Sequence, residues 1–250
     1  MVVQHNLTAM NTNRQLGLTT SAQAKSTEKL SSGYKVNRAG DDAAGLTISE
    51  KMRSQIRGLN KASENAQNGV SLVQTAEGAL NEAHAILQRM NEIATQAAND
   101  TNTSADRGAI KKELTQLSTE LTRISSTTQF NTMNLLDGNF TEKNLQVGAL
   151  AGQRISISIK TMSATALGVK DAELIVSSFA KAGSTMTKIQ AAISKVSAQR
   201  SDLGAVQNRL EYTINNLNTT SENTSSAESL IRDTAVSYTH LRAHETCADL

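Results

Sequence analysis

Proline and tryptophan are absent from these 250 residues, cysteine occurs once, and aromatic side chains make up only 2%. Without proline, nothing in the chain removes a helical hydrogen bond or forces a kink, so long helices are permitted throughout. With so few aromatics, a thick globular core cannot be filled, whereas Ala, Leu and Ile suit thin seams between helices. The lone Cys247 has no internal partner, so no disulfide frames the fold. No run approaches the roughly 18 consecutive apolar residues that a membrane-spanning helix needs. Charge of one sign is also lacking: 25 basic residues face 23 acidic ones, for a net charge of +2. That balance argues against a nucleic-acid partner and leaves close self-association unopposed by repulsion. Met1-Val2-Val3-Gln4-His5-Asn6 has neither a basic nor an apolar stretch. No cleaved signal peptide is therefore expected, and export would need another route.

The chain does carry an apolar stripe from Ile48 to Ala97. Its members are Ile48, Met52, Ile56, Leu59, Ala62, Ala66, Val70, Val73, Ala76, Leu80, Ala83, Leu87, Met90, Ala94 and Ala97. Every step is a three or a four, with a mean of about 3.5, the period of helices packed lengthwise in a left-handed supercoil. Such a helix would run roughly 75 Å at about 1.5 Å per residue. Asn37-Arg38-Ala39-Gly40-Asp41-Asp42 precedes it as a break and a helix start, with an Asp as cap. Asn99-Asp100-Thr101-Asn102-Thr103-Ser104 follows it as a polar turn.

Ile110, Leu114, Leu117, Leu121 and Ile124 form a second helical series, predicted to fold back antiparallel on the first. After Asp137-Gly138-Asn139 the period changes to two. Leu145, Val147 and Ala149, then Ile155, Ile157 and Ile159 flank Ala151-Gly152 and predict a β-hairpin. Residues 160–182 have no clear period. A third long helix is predicted over Met186–Arg232, where Ile189, Val196, Leu203, Leu210 and Leu217 recur every seven residues. The simplest way to bury both stripes lays residues 186–232 along 48–97. The expected fold is therefore mainly α, a long antiparallel helical rod or coiled-coil bundle with a small β-hairpin. Residues 1–40 are polar with weak periodicity, so a helix there is expected to be marginal and largely disordered without a partner.

Several motifs resemble those of bacterial flagellin. Glu28-Lys29-Leu30-Ser31-Ser32-Gly33 and Asn37-Arg38-Ala39-Gly40-Asp41-Asp42-Ala43-Ala44-Gly45 are similar to its N-terminal region. Gln74-Thr75-Ala76-Glu77-Gly78-Ala79-Leu80 resembles a second N-terminal motif. Gly204-Ala205-Val206-Gln207-Asn208-Arg209-Leu210 and Ala227-Glu228-Ser229 resemble its C-terminal region. The likeness runs over residues 1–234 and implies a filament subunit of a short kind, with no outer variable domain between its halves. It implies an inner filament-core segment at 1–41, rod segments at 42–139 and 183–234, and a hairpin with connector at 140–182. It further implies partners in other flagellin subunits, export through the flagellar type III apparatus, and an extracellular location in the flagellar filament.

The same resemblance implies a surface read by the host Toll-like receptor for flagellin. Leu87-Gln88-Arg89-Met90-Asn91-Glu92-Ile93-Ala94 matches the sensed segment, with Arg89 and Ile93 one turn apart and Glu113 as a third contact. Asn91 and Ile93 depart from the Arg and Leu common there. Ile93 is expected beside the stripe, as an apolar anchor flanked by charges. The plainer reading makes Arg89 and Glu113 packing or ion-pair residues. A second expectation follows for function: a secreted fragment that assembles poorly and acts only as a receptor ligand.

At Asp233-Thr234 the resemblance ends, and residues 235–250 read as a non-family tail. Val236 to Thr246 can be encoded by the sequence of a transposase adapter used in preparing DNA libraries, so this tail is expected to lie outside the natural gene. His240, His244 and Cys247 fall at helical spacing there and imitate a metal site without a fourth ligand. No metal, cofactor or catalytic residue is expected. His84 sits beside the stripe as a surface residue, and no Ser/His/Asp set or phosphate-binding loop is present. Asn218-Thr219-Thr220 is a chance glycosylation triplet in so polar a chain.

Overall fold

The computed structural model describes residues 6–235. Its elements in order are α1 (Leu7–Ser32), α2 (Ala43–Ala97), α3 (Ser104–Thr127), β1 (Gln129–Phe130), β2 (Met133–Asn134), β3 (Lys143–Gln146), β4 (Arg154–Ile157), α4 (Ala164–Leu167), a 3₁₀ turn (Asp171–Glu173) and α5 (Phe179–Arg232). The chain divides into two compact units. The terminal unit is Met1–Leu59 with Thr219–Leu250, and the central unit is Asn60–Asn218.

In the terminal unit, α1 is a complete helix where disorder was expected. Its ends explain why: the Asn6 side chain accepts the Ala9 N–H at 3.1 Å, and Gly33 closes the helix in the left-handed conformation at φ 75°. Yet α1 buries none of its residues; Leu7, Met10, Leu16, Leu18 and Leu30 are 48–76% exposed. Two adjacent aspartates organise the turn that follows. Asp41 accepts the N–H groups of Asn37 and Arg38 at 3.1 and 3.0 Å, which lowers its pKa. Asp42 accepts the Gly45 N–H at 2.9 Å and starts α2. A β-carbon at Gly45 would collide with the Asp42 carboxylate, so this cap requires the glycine. The stripe begins differently from expectation: Ile48 is 46% exposed, and Gly45 and Ser49 occupy the buried side. A search for apolar residues passes over serine, which is small enough for a close approach and satisfies its hydroxyl on the Leu46 carbonyl at 2.9 Å.

In the central unit the expected seams form. Ala66, Val73, Ala76, Leu80, Ala83, Leu87, Met90, Ala94 and Ala97 of α2 join Ile110, Leu114 and Leu121 of α3 in one core with Ile189, Val196, Leu203 and Leu210 of α5. Helix α5 runs antiparallel to α2. Going up α2, Ser63 meets Asn218 at 3.0 Å, Glu77 meets Arg200 at 3.7 Å, and Thr95 meets Met186 at 3.9 Å. Helix α3 returns along α2 after a six-residue connection, started by a capping box between Thr103 and Asp106. Arg107 ties this corner by donating to the Ala97 carbonyl at 3.1 Å.

Between α3 and α5 the chain folds into two small hairpins. The predicted one pairs β3 with β4 in antiparallel register, Leu145 opposite Ile155, and Ile155, Ile157 and Ile159 enter the core. Ala149 is not in the strand. Gln146 donates to the carbonyls of Gly148 and Leu150, and Gln153 accepts the Leu150 N–H, so these two side chains hold residues 147–153 as a loop. The other hairpin, β1–β2, was not foreseen. It turns on Asn131 and Thr132 at φ 47° and 65°, the left-handed pair of a two-residue hairpin, without the glycine that usually announces one.

Residues 160–182, without period in the sequence, are held by buried polar side chains of the helices. Ser118 donates to the Val169 carbonyl and Ser125 to that of Leu136, at 2.9 and 2.7 Å. Gln199 accepts the Lys160 N–H and donates to the Ser158 carbonyl. Thr185 both donates to the Ile175 carbonyl and accepts the Ile175 N–H. Helix α5 starts at Phe179, seven residues before the predicted Met186, because the Ser178 hydroxyl accepts the Lys181 N–H and caps it.

Candidate interaction surfaces

Arg89 and Glu113 are brought together by the α2–α3 corner. Antiparallel return places a residue near the end of α2 opposite one near the start of α3. The Arg89 guanidinium donates through Nη2 and Nε to one oxygen of Glu113, at 3.0 and 3.3 Å, and through Nη1 to Glu92 at 3.3 Å. Arg89 and Glu113 are about half exposed, and the hydrogen bond that Arg89 donates to Glu113 raises the Arg89 pKa. The result is a flat patch of one cation between two carboxylates, which water and a partner can both reach. Glu92 was not foreseen as a member, although its i, i+3 spacing from Arg89 is the available signal.

Ile93 stands elsewhere. It was expected beside the stripe as an apolar anchor flanked by charges; it is 2% exposed and belongs to the core. Ile93 and Ala94 are both buried, so the apolar side of α2 is wider here than a single line of threes and fours. A wider apolar face is what a helix needs when it packs against two neighbours rather than one. Ile93 therefore packs inside the central unit, while Arg89 faces outward. Beyond this patch the α2–α3 surface continues as an open groove of about 390 Å³, lined by Ala79, Glu82 and Ile86 on one side and Glu120, Arg123 and Ile124 on the other.

A second surface belongs to the terminal unit. Lys25 and Lys29 of α1, Lys35, and Leu230 and Asp233 line a groove of about 850 Å³. Leu230 is 83% exposed. A further ionic contact, also unforeseen, fixes the connector to α3: Lys111 and Thr115 bind the Asp171 carboxylate at 2.7 and 2.5 Å, and the Lys111 ammonium, as the larger influence, lowers its pKa.

His84 is half-buried on α2, its Nε2 3.0 Å from the Gln88 amide nitrogen. Among the described residues no group of three His, Cys, Asp or Glu could hold a metal ion. His240, His244 and Cys247 lie outside the described residues. Among the described residues, no helix is long and apolar enough to cross a membrane.

Residues 3–141 match the bacterial flagellin N-terminal helical region, and residues 186–246 match the bacterial flagellin C-terminal helical region. The second match continues past Thr234, where the sequence motifs stop. The chain is 51% identical over 233 residues to a flagellin of Halalkalibacterium halodurans, covering 93% of this chain and 86% of that one. It is 48% identical over 265 residues to a flagellin of Bacillus subtilis, covering 93% and 87%. A crystal structure of Bacillus cereus flagellin superposes with a TM-score of 0.54 at 30% identity, covering 66% of this chain and 94% of that one.

Proposed function

Since the chain belongs to the bacterial flagellin family, a structural family and not an enzymatic one, we propose that it is a self-associating subunit of the extracellular flagellar filament that serves motility. The observation that carries this reading is α1. It is a 26-residue helix that buries nothing within its own chain, while the central unit has a packed core. An isolated helix of this polarity gains little from its own hydrogen bonds, so its stability must come from neighbours. Other copies of the same chain are the neighbours that a filament supplies. Residues 1–41 act as the inner contact segment, and the near-neutral charge allows copies to approach. Subunits reach the filament through the flagellar export apparatus as unfolded chains.

Sedimentation of the purified chain tests this. Filaments that pellet and are visible by electron microscopy are expected. A chain that stays monomeric under conditions where a full flagellin polymerises points instead to the second reading, a secreted ligand that does not assemble.

We further propose that the host Toll-like receptor for flagellin reads the Arg89–Glu113 patch. The patch is complete within one chain and does not depend on α1, which supports recognition of the monomer. Arg89→Ala is expected to weaken binding to the purified receptor ectodomain about tenfold, as loss of an interface arginine commonly does. Unfolding of the central unit should not change, because the side chain is half exposed. Unaltered affinity in Arg89→Ala would remove this patch from the interface. Ile93→Ala does not test contact, since it opens a cavity in the core.

A further inference from the structure

Three elements of the terminal unit converge on one ring. Tyr34 follows the left-handed Gly33 that ends α1. Its hydroxyl accepts from Arg53 Nη2 of α2 at 3.2 Å. The Arg232 guanidinium of α5 lies 4.8 Å from the ring centroid, and that of Arg53 lies 5.6 Å from it. Each arginine also crosses to a carboxylate on the opposite helix: Arg53 Nε is 3.2 Å from Glu228, and Arg232 Nη1 is 3.2 Å from Glu50. The side chains of Arg232 and Glu228 are each only 12% exposed. Two arginines this close would repel one another in a partly dehydrated place. The ring face and the two carboxylates offset that repulsion.

The backbone completes the arrangement. Lys35 N–H donates to the Arg232 carbonyl at 2.7 Å, and Thr234 N–H donates to the Gly33 carbonyl at 2.9 Å, forming one antiparallel bridge around Tyr34 and Asp233. A single bridge of this kind is weak alone, because two hydrogen bonds at a sheet edge exchange freely with water. Here it has a side-chain lock beside it. Tyr34 is also unusual by type, since the chain holds three tyrosines and no tryptophan.

The geometry points to Tyr34 as a latch that joins the N-terminal and C-terminal halves of the chain, closed when its ring sits against Arg53 and Arg232. The latch needs all three elements at once, so it cannot close until α2 and α5 are paired. Once closed, it fixes the point from which α1 departs, although α1 itself buries nothing. Opening it releases Lys35 and Thr234 without disturbing the central unit, whose core shares no residue with it. This device belongs to the single chain and stands whether or not the chain forms filaments.

Hydrogen exchange of the full-length monomer tests the latch at its two bridge amides. In Tyr34→Leu, Lys35 and Thr234 are expected to exchange about tenfold faster, the scale of one lost cation–π and hydrogen-bond set. Amides of residues 203–210, in the central unit, should keep their parent rates. Tyr34→Phe keeps the ring and should stay within about threefold of the parent, which preserves the test if the leucine variant folds poorly. Arg232→Met alone should open the bridge, and adding it to Tyr34→Leu should produce no further acceleration. Parent-like protection of Lys35 and Thr234 in folded Tyr34→Leu would overturn the latch. So would equal acceleration in Tyr34→Phe and Tyr34→Leu, or strictly additive effects of Tyr34→Leu and Arg232→Met.

Discussion

Replacing Leu210 with alanine is expected to lower the stability of the central unit by about 3 kcal/mol, within the range for a fully buried leucine that leaves a cavity. Leu210 is completely buried in the heptad series of α5. Opposite it on α2 stands Gly69. A β-carbon built at Gly69 would lie 3.3 Å from Leu210 Cδ1 and would overlap Leu145 of β3. Three elements therefore meet where one of them has no side chain, and Leu210 and Leu145 fill the gap. Removing the Leu210 isobutyl group leaves a space that glycine cannot fill and that backbone rigidity keeps open. Urea unfolding followed by helical circular dichroism measures the loss. A change below about 1 kcal/mol would show that the seam closes up, contrary to the packing described. Leu230→Ala is the matched control. That side chain is 83% exposed, and its removal should change stability by less than about 0.5 kcal/mol.

Leu210 also marks what periodicity can reveal. Long helices present a repeating face, and burial of that face is a property of the period itself. The heptad series from Ile189 to Leu217 and the α3 series were legible for this reason, and the structure buries Ile110, Leu114 and Leu121 as the spacing required. What was not legible depends on single polar atoms. Gln199 looks like one more surface glutamine on α5, yet it is 3% exposed and holds two backbone groups of residues 158–160. Ser118, Ser125 and Thr185 do the same elsewhere, and a hydrophobicity pattern counts them all as interruptions. The β1–β2 turn was hidden because Asn131 and Thr132 adopt a conformation normally announced by glycine. The candidate site divides in the same way. The structure brings Arg89 and Glu113 together, because antiparallel return of α3 follows from the short connection. Ile93 is buried, because α2 packs on both α3 and α5 and buries a broader face than one line of threes and fours. The Tyr34 cluster joins residues nearly 200 positions apart, from Tyr34 to Arg232, and no local pattern connects them.

Charging the bare face of α1 is expected to abolish polymer formation while leaving the folded central unit intact. The double variant Leu16→Asp, Leu18→Asp places two carboxylates on a helix that buries none of its residues in the single chain. Leu16 and Leu18 are 58% and 59% exposed, so the monomer has nothing to lose at these positions. In a filament the same side chains would enter contacts between copies. Burying two unpaired carboxylates there costs several kcal/mol per subunit interface, against the roughly 1.4 kcal/mol that changes an equilibrium tenfold. The penalty also recurs in every copy, so polymer growth stops rather than slows. The measurement is the pelletable fraction of the chain under polymerising conditions, compared with urea unfolding of the same variant. A fall of at least about tenfold in pelletable protein, with an unfolding midpoint unchanged, is the expected pair of results. Unchanged pelleting would mean that α1 lies outside the contacts between copies, and the uncovered helix would then need a different partner. Loss of pelleting together with a lowered midpoint would instead show that α1 is packed within its own chain, although it buries none of its residues in the structure.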